Sequence, residues 1–73
     1  MLKLNKEYVA FLNKNAPDMV KYISDSSIDE NKISNFLDDF YDWIEENGFD
    51  NEGYYNSLGN AAQKIYDFVV SNS

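Results

Sequence analysis

The chain contains no cysteine, no histidine and no arginine, and it has one proline and three glycines. Without cysteine there is no disulfide framework and no thiolate site for zinc or an iron–sulfur cluster. Without histidine the commonest metal ligand and the commonest general base near neutral pH are both gone. Basic residues are scarce: six lysines stand against 13 carboxylates, a formal net charge of −7. Such a chain is poorly equipped to grip phosphate backbones, because affinity for nucleic acid comes largely from lysine and arginine. Long apolar runs are absent as well. None approaches the ~20 residues that span a bilayer. The stretch Met1-Leu2-Lys3-Leu4-Asn5-Lys6-Glu7 lacks the unbroken apolar core of a secretory signal. The expectation is a cytoplasmic protein with no membrane contact and no direct contact to nucleic acid. Its arginine-free, asparagine-rich usage is what an AT-rich bacterial or phage genome encodes.

What the chain does have is aromatic side chains. Five Phe, six Tyr and one Trp occur in 73 residues, and 44% of the sequence is hydrophobic. Disordered acidic chains are poor in aromatics, so a folded domain is expected despite the charge. A chain this short makes one domain, 1–73, and has a marginal core. With no disulfide or metal to staple it, aromatic burial is the substitute, at ~150–250 Å² per ring. Pairing into a homodimer is the other route.

The apolar spacing is helical throughout and predicts an all-α bundle of four helices, about 5–14, 17–24, 28–47 and 51–70. Asn5 is the expected cap of the first, with Leu4, Tyr8, Phe11 and Leu12 on one side. Pro17-Asp18 starts the second, because proline and an acid both suit a first helical turn. Ser24-Asp25-Ser26-Ser27 reads as a turn. Ser27 with Glu30 fits a capping box for the third helix. Ile33, Phe36, Leu37, Phe40 and Ile44 then recur at helical spacing up to Asn47-Gly48, which reads as a C-cap with a left-handed glycine. Asp50 or Asn51 would cap the fourth helix, and Gly59 inside it points to close helix packing.

Charge is concentrated. Residues 1–37 carry five acids and five lysines, a balance of zero, whereas 38–73 carry eight acids and only Lys64, a balance of −7. Asp38, Asp39, Asp42, Glu45, Glu46, Asp50 and Glu52 follow one another with no base between them. On a helical wheel Asp42 points directly away from the Ile33, Leu37, Phe40 and Ile44 side. Asp38, Asp39, Glu45 and Glu46 lie within about 60° of it. Tyr41 and Trp43 sit at the two borders. Helix stability alone would not choose this face. Asp38/Asp42 and Asp42/Glu46 are repulsive i,i+4 pairs, and Glu45 and Glu46 oppose the helix dipole in the last turn. A solvated face is the ordinary reading of a charge run. The unbroken sign and the flanking aromatics point instead to a protein-binding surface.

Enzyme chemistry finds little footing. Asp38 and Asp42 lie on a convex face with nothing to split their pKa values as an acid/base pair requires. No EF-hand frame surrounds Gly48 or Gly53, and the Glu-x-x-His elements of a di-iron bundle are missing. A helix-turn-helix drawn on 17–24 and 28–47 would turn its acids towards phosphates. No catalytic residue, metal site or cofactor is therefore expected.

Across residues 26–55 the spacing resembles the colicin/pyocin nuclease immunity proteins. Ser26-Ser27 opens the acidic helix, Ile33, Phe36, Leu37, Phe40 and Trp43 follow, and Tyr54-Tyr55 come after it. The sequence departs from that family in Asn51-Glu52-Gly53 before the tyrosine pair and Asn56 after it. The resemblance implies a small acidic four-helix inhibitor that binds a nuclease through the acidic helix and the tyrosine pair. The wheel places Tyr54 and Tyr55 on the apolar side of a helix instead, which implies core packing. Two functions follow. One is an inhibitor whose carboxylate face occupies the basic, nucleic-acid-binding surface of a partner protein, as immunity proteins and phage anti-defence DNA mimics do. Its contact residues would be Asp38, Asp39, Asp42, Glu45, Glu46, Asp50 and Glu52 with Tyr41, Trp43, Tyr54 and Tyr55. The other is a non-catalytic structural or oligomerisation module.

Overall fold

Twelve apolar residues form one buried cluster that draws on every main segment of the chain, from Leu4 to Val69. A computed structural model describes residues 1–73. The order is strand β1 (Leu2–Lys3), helix α1 (Lys6–Asn15), a 3₁₀ helix (Pro17–Tyr22), strands β2 (Ile23–Ser24) and β3 (Ser27–Ile28), a 3₁₀ turn (Glu30–Lys32), and helices α2 (Ile33–Asn47) and α3 (Ser57–Asn72). The fold is mostly helical, but it is not all-α. A three-stranded antiparallel sheet of order β1-β3-β2 pairs Leu2 with Ile28 and Ile23 with Ile28.

The first helix forms as its sequence dictates. The Asn5 carboxamide accepts a hydrogen bond from the Tyr8 N–H at 2.8 Å, which satisfies one of the unpaired donors of the first turn. The expected second helix is a 3₁₀ segment that stops at Tyr22, after which Ile23–Ser24 is extended. Asp25 and Ser26 both have positive φ, 52° and 62°. They form the two-residue turn whose twist matches a β-hairpin. This hairpin displaces the expected capping box. Ser27 and Ile28 are committed to the sheet, and Asp29 instead accepts from the Asn31 N–H and caps the 3₁₀ turn. Helix α2 therefore begins at Ile33 and not at 28.

The junction of α2 and α3 also departs from expectation. Gly48 is not left-handed: its φ is −97° and its ψ is 1°, while its N–H closes on the Ile44 carbonyl. Its lack of a side chain serves proximity. A Cβ there would meet the Gly59 Cα at 3.0 Å, and a Cβ on Gly59 would lie 2.0 Å from the Gly48 carbonyl oxygen. Two glycines thus bring the start of α3 against the end of α2, the close packing expected of Gly59. Asn56 clasps the pair. Its carboxamide oxygen accepts from the Gly59 N–H, its amide nitrogen donates to the Asn47 carbonyl, and its own N–H donates to the Gly48 carbonyl. The fourth helix consequently starts at Ser57 rather than 51.

Residues 49–55 form a loop in place of the expected first turns of that helix. The Asp50 carboxylate accepts from the Glu52 and Tyr54 N–H groups at 2.9 and 3.0 Å, a local arrangement that competes with helix formation. Gly53 supplies the positive φ of 88° that the turn requires. Aromatic contacts knit the core to its rim. Phe36, Phe40 and Trp43 are neighbours along α2 with centroids 5.3 and 5.7 Å apart, and Phe11 meets Trp43 edge-on at 6.0 Å. Tyr8 meets Phe68 edge-on at 5.4 Å.

Candidate functional site

Helix α2 turns Ile33, Phe36, Phe40 and Ile44 into the core. The same 3.6-residue geometry then obliges Asp38, Asp39, Asp42, Glu45 and Glu46 to face outward, and all five are exposed. Asp50 and Glu52 extend the acidic surface onto the loop beyond the helix and are exposed too. Only one of the five helix acids has an internal cation. Lys21 Nζ lies 3.8 Å from Asp39, an exposed pair worth at most about 1 kcal/mol. The Tyr22 hydroxyl also donates to the Asp39 carboxylate. That hydrogen bond, then partial desolvation and the negative charge of Asp39, raise the Tyr22 phenol above its ordinary pKa. Asp42 and Glu46 make no hydrogen bond or ion pair within the chain.

The two border aromatics have different roles. Trp43 faces α1 and is half-buried against Phe11 and Phe40. Tyr41 faces α3, is 52% exposed and lies 6.3 Å from the Tyr66 ring. The Glu45 carboxylate one turn along, as hydrogen-bond acceptor first and as a charge second, raises the Tyr41 phenol above its ordinary pKa.

Tyr54 and Tyr55 are loop residues, 69% and 43% exposed, so the core packing implied by the wheel is overturned. The loop around Asp50 ends the helical phase on which that wheel depended. Phe49 and Tyr55 pair across the base of the loop and stack at 4.8 Å with an interplanar angle of 21°. Together with Tyr41, Ile44, Glu45 and Gln63 they line a hollow of 340 Å³. Phe49 and Gln63 were not apparent from the sequence as site residues. Phe49 stands outside any helical period, and its signal was a local one: two aromatics flanking Asp50, Asn51 and Gly53, a turn-forming run. A larger hollow of 620 Å³ lies between β1, α2 and the end of α3. Of the acidic surface only Asp38 reaches it.

No charged or polar side chain is buried. No three acids converge closely enough to hold a metal ion. No helix is long and apolar enough to cross a membrane. No protein-family profile matches the chain, and no curated protein or solved structure is significantly similar to it.

Proposed function

We propose that this protein is a small, non-catalytic inhibitor whose acidic face occupies the basic, nucleic-acid-binding surface of a partner protein. Immunity proteins and phage anti-defence DNA mimics are the nearest functional types. The supporting observation is the run of exposed carboxylates from Asp38 to Glu52, in which Lys21 is the single internal cation. Charge of one sign over a face steers an oppositely charged partner and accelerates association. The exposed aromatics beside it supply the apolar contact area that charge alone does not. A second reading, a module that completes itself as a homodimer, draws on the exposure of Phe49, Tyr54, Tyr55 and Val70.

The test uses Asp42→Lys with Glu46→Lys. The double variant turns the repulsive Asp38/Asp42 pair into an attractive one and places a cation in the last turn of α2, while the 42/46 pair stays like-charged. It should stabilise the isolated protein by about 1 kcal/mol. In pull-downs from bacterial lysate, with captured proteins identified by mass spectrometry, wild type should hold basic nucleic-acid-binding proteins at low salt. High salt should release them, since screening acts over ~8–10 Å, and the double variant should not capture them. Partners held equally by both forms and at both salt concentrations would overturn the proposal. A concentration-dependent doubling of mass in solution would favour the homodimer.

A further inference from the structure

The 340 Å³ hollow beside the acidic face has an uneven chemistry. Its walls are the rings of Tyr41, Phe49 and Tyr55, the Ile44 side chain, Gln63 and Glu45. Two of its polar side chains are tied into a short chain of hydrogen bonds. The Tyr55 hydroxyl donates to Gln63 Oε1 at 2.9 Å, and Gln63 Nε2 donates to Asp67 at 2.9 Å. What the hollow offers a ligand is therefore aromatic surface and the remaining acceptor capacity of one carboxylate. It offers no cation, so an anionic group would meet only the charge of Glu45.

A ligand that satisfies these walls is flat, cationic and rich in N–H donors. We infer that the hollow receives an arginine side chain of the basic partner, its guanidinium against the aromatic rings and hydrogen-bonded to Glu45. A guanidinium stacks on aromatic faces, donates in a fork that matches a carboxylate, and is less strongly hydrated than an ammonium, which favours it over lysine here. The site is also held in shape before binding. Phe49 and Tyr55 are fixed by their backbone bridge and their mutual stacking, while the Asp50 carboxylate and the Asp50 N–H to Tyr54 carbonyl bond, at 2.8 Å, close the loop between them. A preformed pocket avoids the ordering cost of binding. The occupant cannot come from a second copy of this chain, because the sequence has no arginine.

This inference rests on the proposed acidic-face function, and its test is independent of any captured partner. The probe is the capped tripeptide acetyl-Gly-Arg-Gly-amide, titrated into the ¹⁵N-labelled protein, with the citrulline and lysine tripeptides alongside. The arginine peptide should shift the amides of Glu45, Phe49, Tyr55 and Gln63, with at least about tenfold weaker binding of the uncharged citrulline peptide. Glu45→Gln, a change at an exposed position, should weaken the arginine peptide about tenfold, the factor for one charge-assisted contact. Equal binding of the citrulline or lysine peptide would overturn the assignment. So would shifts spread along Asp38, Asp42 and Glu46 in place of the hollow, or full binding by Glu45→Gln. Any of these alongside retained, salt-sensitive capture of basic proteins by wild type would remove the arginine pocket and leave the acidic-face function standing.

Discussion

Gly59→Ala is the change for which two simple rules disagree most sharply. Helix propensity says that alanine inside α3 should add ~1 kcal/mol of stability relative to glycine. The packing says the reverse. The new Cβ would lie 2.0 Å from the Gly48 carbonyl oxygen and 2.8 Å from both the Gly48 carbonyl carbon and Tyr55 Cδ1. Non-bonded heavy atoms prefer ~3.5–4.0 Å, so α3 must withdraw from Gly48 by more than ~1 Å. The atom in the way is backbone at the end of a helix, which cannot rotate aside. Withdrawal also stretches the 2.9 Å bond from the Asn56 N–H to that same Gly48 carbonyl. Overpacking of this kind costs ~3 kcal/mol at the upper end of its usual range. Less the ~1 kcal/mol gained in propensity, the net loss is about 2 kcal/mol. Urea unfolding followed by Trp43 fluorescence, with m near ~1 kcal/mol/M for a domain this size, should show the midpoint falling by about 2 M. The melting temperature should fall by ~8–16 °C. The neighbouring exposed Asn60→Ala is the control and should gain a few tenths of a kcal/mol, as propensity predicts. A Gly59→Ala protein as stable as wild type, or more so, would refute the close glycine contact as the reason for Gly59.

Other consequences can be measured on the same footing. Phe40 is fully buried between Phe36 and Trp43, so Phe40→Ala should cost about 3–5 kcal/mol. Against a total of about 4–11 kcal/mol for a domain this size, far-UV circular dichroism should show a melt lowered by tens of degrees or an unfolded chain; a shift of a few degrees would place Phe40 outside the core. Tyr22 has a folded pKa raised above 10 by its bond to Asp39, so the stability from that bond is complete below the unfolded pKa and is lost as pH rises through the higher folded value. Phenolate absorbance during alkaline titration should show Tyr22 and Tyr41 ionising above the ordinary tyrosine pKa, and Tyr22→Phe should delete one late-titrating group; an unchanged titration curve would contradict the Tyr22–Asp39 bond.

The sequence was informative where a structure-forming signal was local and long. Asn5 caps α1, and the Ile33–Ile44 spacing orients α2 with its acids outward, because both follow from the geometry of one helix. Signals that depend on a distant partner mislead. Ser27 and Glu30 satisfy the spacing of a capping box, but Ile28 pairs with Leu2, and two-residue strands show no alternation to detect. Asn47-Gly48 reads as a left-handed stop because Asn-Gly often is one; the reason position 48 is glycine lies in Gly59, eleven residues further on. The spacing of the tyrosine pair continues the α3 pattern backwards, whereas Asp50 captures the N–H groups that such a helix would need. The acidic half of the candidate site was therefore legible, and its aromatic half took shape only with the loop.

The sheet has a bearing on how the chain reaches this structure. Pairing Leu2 with Ile28 closes a loop of 26 residues, against five for Ile23 with Ile28. The difference in closure entropy is about 1.5 kcal/mol for a flexible chain, and a two-residue strand returns little for it. The hairpin of β2 and β3 should therefore assemble early, and β1 should dock last, when burial of Leu4 in a formed core secures it. During native-state hydrogen exchange the order should reverse. The Leu4 amide, bonded to the Ser26 carbonyl, should lose protection in an opening that leaves the amides of α2 protected, so the N-terminal strand detaches while the acidic helix stays folded.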